Sequence, residues 1–152
     1  VGSYRTVVVG TDGSESSFAA VDRAAALAQA TGATLVCVCA YRPLPEREAR
    51  RAEDVLGDDA YKVRGANPAE DALRLAADRA RAAGASSLDL VAEEGDPVDV
   101  LVAVAERTGA DLIVVGNRGL NSLAGRLLGS VPANIAHRAR CDLLIASTTS
   151  GR

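Results

Sequence analysis

Aromatic side chains are almost missing from this chain. Among 152 residues there is one phenylalanine, three tyrosines and no tryptophan, and methionine is absent altogether. A core must be filled by alanine, valine and leucine, and an apolar content of 48% leaves enough of them. A flavin site, which needs aromatics to flank its ring, is disfavoured. The single histidine, His137, falls in a stretch read as a surface helix, so no Ser-His-Asp set can be assembled. Lysine is nearly absent as well: of seventeen basic residues only Lys62 is lysine. The acidic cluster and strand-end lysine of a receiver-type module are therefore not found.

Charge of one sign is not concentrated anywhere. The formal net charge is −3 with no basic or acidic run, which argues against a nucleic-acid-binding surface. No apolar stretch approaches the roughly 20 residues that span a bilayer, and no signal-peptide pattern opens the chain. The expectation is a soluble, cytoplasmic protein without a membrane partner. Three cysteines, Cys37, Cys39 and Cys141, are too few and odd in number for a disulfide framework. Cys37 and Cys39 stand two apart in a strand-like run and so share a face. They read as small buried apolar residues; a metal pair or redox switch finds no CxxC and no neighbouring histidine.

What is present is a repeated phrase. Thr6–Gly10 (TVVVG) is a continuous β-branched run of the kind that suits a parallel strand covered on both faces. Ser14 is placed to cap a helix running to Ala30, and Gly32 to end it. Thr34–Ala40 (TLVCVCA) is a second strand. Helix, Gly-Ala, strand then recurs: Ser87–Ala92, Asp111–Val115 and Cys141–Ser147 are the later strands. Asn67-Pro68 and Asp96-Pro97 each give a cap followed by a proline in the first helical turn. In the helix from Pro97 to Arg107, Val98, Leu101, Val102 and Ala105 line one face. The charged connection from Tyr41 to Ala66 is long, with a short helix expected around Glu46–Leu56. Glu93-Glu94 reads as a solvated turn after strand three.

Five strands alternating with four helices predict an α/β fold: a five-stranded parallel sheet, doubly wound and Rossmann-like. The length fits one domain. Ligands of such sheets bind beyond the carboxyl ends of the strands, where the winding reverses. That brings Gly10-Thr11-Asp12 and Val115-Gly116 to one crevice.

The segment after the fourth strand, GNRGLNSLAGRLLGS, holds four glycines in fifteen residues. Bare backbone permits close approach to a ligand. Ser130 is placed to cap the last helix, with Pro132 in its first turn, so free N–H groups and the positive end of the helix dipole form an anion site suited to phosphate. The alternative is a tight crossover loop. A Walker A loop is excluded, because Leu128-Gly129 stands where that motif has its lysine.

The pattern G-x2-G-x9-G-[ST], formed by Gly116, Gly119, Gly129 and Ser130, resembles the nucleotide-binding signature of the universal stress proteins. Val7-Val8-Val9-Gly10-Thr11-Asp12-Gly13-Ser14 resembles that family's first strand and its aspartate. Gly129-Ser130-Val131 through Cys141-Asp142-Leu143-Leu144-Ile145 resembles its final helix and strand, as in single-domain actinobacterial members. The resemblance covers residues 4–148 as one adenine-nucleotide-binding domain, leaving 1–3 and 149–152 as flexible ends. It implies a homodimer through the last strand and a cytoplasmic stress-response role as sensor or buffer. The ligand would be ATP or cyclic AMP, with magnesium carried on ATP phosphates. Asp12, in the turn with Gly10 and Thr11, would lie beside the adenosine. Ala40 would offer backbone groups to the adenine. Gly116, after Val115, and Gly119 would pass the ribose and phosphates. Gly129, Ser130 and Val131 would hold the phosphates, and Arg118 could add a charge. The competing reading is a slow ATP hydrolase on the same pocket; Arg118 and Arg126 offer charge, but no base stands beside them.

Overall fold

Val7, Val8 and Val9 have no solvent exposure, and this continuous apolar run becomes the centre of the sheet. The computed structural model describes residues 3–42, 66–117 and 130–147. Strands β1 (Thr6–Gly10), β2 (Thr34–Tyr41), β3 (Leu88–Glu94), β4 (Leu112–Gly116) and β5 (Asp142–Ala146) form one parallel sheet in the order β3-β2-β1-β4-β5. Four helices lie among the described residues: α1 (Glu15–Thr31), α2 (Ala66–Ala82), α3 (Pro97–Thr108) and α4 (Ser130–Arg138). The doubly wound α/β fold expected from the sequence is the one observed.

Alternation along the strands sorts the core into two layers. Val7, Val9, Leu35 and Cys37 face α1 and α2, whereas Val8, Val36, Val38 and Ile113 face α3 and α4. Alanines on α1 and α2, such as Ala20, Ala24, Ala76 and Ala80, let those helices approach the sheet without aromatic filler. Cys37 and Cys39 are both buried in this layer. Burial pushes the Cys37 thiol up to about 12, so it stays a neutral apolar group.

Helix ends follow local chemistry. The Ser14 hydroxyl accepts the Ser17 N–H, and Asp96 accepts the Val98 and Asp99 N–H groups ahead of α3. Gly32 and Gly109 close α1 and α3 with φ of 74° and 69°, left-handed conformations that favour glycine.

Several boundaries differ from expectation. β3 runs on to Glu94, because Ala40 and Tyr41 of β2 pair with Glu93 and Glu94. Glu93 is therefore a strand residue, ion-paired with Arg107 at 2.9 Å, and not part of a turn. Helix α2 begins at Ala66, one residue before the expected Asn67 cap, and Ser130 is the first residue of α4. Helix α3 also buries Val100 and Val104, since it packs on both the sheet and α4. The helix expected around residues 46–56 lies outside the described residues.

Strand β1 is tied to its neighbour at its amino end. The Asp111 carboxylate accepts the Thr6 N–H at 2.9 Å and the Arg5 N–H at 3.3 Å, while the Tyr4 hydroxyl donates to Asp142 at 2.8 Å. Asp111→Ala strips these backbone donors of their acceptor and is expected to cost about 1–2 kcal/mol. Thermal denaturation should show a fall of roughly 2–8 °C; an unchanged melting temperature would mean that water replaces the carboxylate without loss.

Candidate functional site

Pairing between β1 and β4 stops at Val9 and Val114. Beyond it the strands part company. Gly10 continues alongside Val38 of β2, and the Thr11 N–H donates to the Val38 carbonyl at 2.9 Å. Val115 and Gly116 instead continue alongside Ile145 and Ala146 of β5, and the Asn117 N–H donates to the Ala146 carbonyl. A crevice opens between them at the point where the winding reverses, the place such sheets use for ligands.

A cavity of about 200 Å³ fills this crevice. It is lined by Gly10, Thr11 and Asp12 at the end of β1, Val38 and Ala40 of β2, and Val115, Gly116 and Val131 from β4 and α4. Pro97 and Leu101 of α3 close the apolar face, and Ser14, Ser16 and Ser17 of the first turn of α1 and its cap form a polar one. A Cβ at Gly10 would stand 3.1 Å from a Leu101 methyl, a tight contact that the leucine side chain would have to relieve. Asp12 is exposed at the mouth, with its Oδ1 accepting the Ser14 N–H at 2.9 Å. Its charge is felt by the Cys39 thiol, which is raised chiefly by burial and then by Asp12.

Of the residues expected from the sequence, Gly10, Thr11, Asp12, Ala40, Val115, Gly116 and Val131 all line this one cavity. Arg118, Gly119 and Gly129 lie outside the described residues, and Ser130 is described only as the start of α4. Ser14, expected as a helix cap and as the end of the family-like opening stretch, also lines the cavity. Pro97 and Leu101 are legible in the sequence only as helix residues, and Ser16, Ser17 and Val38 carry no site signal there. Asp96-Pro97 carried the available signal, since a helix that starts at the carboxyl ends of the strands must put its first turns beside the crevice.

The model of the universal stress protein family matches residues 3–147. The chain belongs to the universal stress protein family. It is 53% identical over 147 residues to "Universal stress protein Rv1636" of Mycobacterium tuberculosis (strain ATCC 25618 / H37Rv), covering 97% of this chain and 99% of that one. Among solved structures, a universal stress protein in complex with cAMP superposes with a TM-score of 0.77 at 46% identity, covering 97% of this chain and 100% of the other. Universal stress protein UspA from Lactobacillus plantarum shares the fold at 24% identity, with a TM-score of 0.73 and coverage of 95% and 99%.

Among the described residues no cluster of histidine, cysteine, aspartate or glutamate is arranged to hold a metal. Among the described residues that line the cavity, Asp12 alone carries a charge. One carboxylate, three serines, one threonine and an apolar wall can orient a flat ring and its polar substituents.

Proposed function

We propose that this universal stress protein binds an adenine nucleotide, ATP or cyclic AMP, in the crevice between β1 and β4. The observation that carries the reading is the convergence of Asp12, Ala40, Gly116 and Val131 on one cavity at the reversal point of the sheet. The similar protein solved with cAMP supports it. The cavity is smaller than the roughly 300–1,000 Å³ of pockets that enclose a whole ligand. It takes the base and part of the sugar, and the phosphates extend toward the amino end of α4. That nine-residue helix directs free N–H groups and its positive dipole end at them. Arg118, Gly119, Gly129 and Ser130 complete the phosphate contacts in this reading, and magnesium arrives on the phosphates of ATP.

The protein acts as a cytoplasmic stress-response sensor or buffer rather than a rapid hydrolase. A homodimer forms through β5, which pairs with β4 on one side and is an edge of the sheet on the other. Leu143, Leu144 and Ile145 are only partly buried along that edge, and an apolar open edge invites pairing. No helix among the described residues is long and apolar enough to cross a membrane.

Calorimetric titration with ATP–magnesium and, separately, cyclic AMP tests the reading. Saturable binding of either at one site per chain is expected. Binding of neither would return the glycine-rich segment to a structural crossover. Sedimentation at micromolar concentration should show a dimer, and a monomer would remove β5 as the interface.

A further inference from the structure

The α1 side of the crevice carries four hydroxyl groups: Ser14 and Ser16 share one hydrogen bond at 3.1 Å, and Thr11 and Ser17 form a chain with a fixed direction. Thr11 is the one buried polar residue among those described, at 7% exposure. Its Oγ1 accepts the Gly13 N–H at 3.2 Å and lies 2.7 Å from Ser17 Oγ. A serine hydroxyl has a single hydrogen. Ser17 gives that hydrogen to the Ser14 carbonyl at 2.8 Å, so the hydrogen between Thr11 and Ser17 belongs to Thr11. Both hydroxyl hydrogens are thus consumed within the protein. What Thr11 and Ser17 leave toward the cavity is lone pairs. Asp12, an acceptor when ionised, stands next to them in the same wall.

We propose that Ser17 is a positioning residue: by taking the Thr11 hydroxyl hydrogen it leaves the Thr11–Ser17 pair accepting hydrogen bonds without donating them, so that this point of the crevice selects ligands by the donors they present. The inference rests on the nucleotide reading above and deepens it. The donor is a sugar hydroxyl or the exocyclic amino group of the base. Both supply the same chemistry to the wall. A ligand lacking the donor leaves buried lone pairs unmatched, and a ligand offering a carbonyl at that point meets a second acceptor.

The test is titration of wild type, Ser17→Ala and Ser17→Thr with ATP, 2′-deoxy-ATP, 3′-deoxy-ATP and inosine triphosphate. Wild type should prefer ATP about tenfold over at least one of the altered probes. The deoxy probes report a sugar hydroxyl, and the inosine probe reports the amino group. Ser17→Ala frees the Thr11 hydrogen and should collapse that preference toward unity, while Ser17→Thr restores it. An equal loss of affinity for all four probes in Ser17→Ala, or no preference in wild type, would overturn the proposal. Binding of no probe by folded wild type would overturn the nucleotide reading itself. The relay is then judged alone by a thermal double-mutant cycle of Thr11→Val and Ser17→Ala without ligand. Non-additive melting shifts support the relay, and additive shifts overturn it.

Discussion

Ala40→Phe is expected to lower the affinity for adenine nucleotides at least about a hundredfold while moving the melting temperature by no more than a few degrees. Ala40 lies near the end of β2, partly exposed, with its neighbours Val38 and Leu101 in the same cavity wall. An aromatic side chain suits a strand position, and at this one it projects into space that is empty rather than into packed core. The ring then occupies the roughly 200 Å³ in which the base would lie. A hundredfold loss corresponds to about 2.7 kcal/mol, within the range released by burying one apolar group of that size. Calorimetry on the folded variant measures it, with circular dichroism as the check on the fold. An unchanged affinity would move the base out of this crevice.

Ile113→Ala should be among the most damaging single truncations in the sheet. Ile113 has no solvent exposure; it sits in β4 between β1 and β5, in the layer that faces α3 and α4. Removing most of a fully buried side chain costs its transfer free energy and leaves a cavity that a central strand cannot collapse to fill, about 3–4 kcal/mol in all. For a chain of this length that is a fall of roughly 6–16 °C in melting temperature. Leu75→Ala on α2, where Leu75 is 54% exposed, is the control and should stay within about 0.5 kcal/mol. Equal effects from the two would contradict the two-layer core.

The central strands were legible because burial on both faces leaves a continuous β-branched run, as in Val7–Val9 and Ile113–Val115. Edge strand β3 was less so. Its outer side meets solvent, so Asp89, Glu93 and Glu94 can stand in the strand, and its end is decided by pairing with Tyr41 rather than by its own composition. The caps Ser14 and Asp96 could be read because their chemistry is local. The crevice could be read from its glycines and from strand order. Its walls from α1 and α3 could not: nothing in the spacing of Ser17 or Leu101 says that they meet the ends of β1 and β2. That depends on how the helices cross the sheet. The direction of the Thr11–Ser17 contact is likewise a property of three dimensions, fixed by where Ser14 places its carbonyl.

The most direct test of the site is a two-dimensional amide NMR titration of the wild-type protein with ATP–magnesium and with cyclic AMP. The crevice predicts saturable shifts at Thr11, Asp12, Ala40, Gly116 and Val131, shared by both ligands. Shifts centred instead on the far end of the sheet, around Ala110, Arg140 and Cys141, or no saturable shifts with either ligand, would contradict the account.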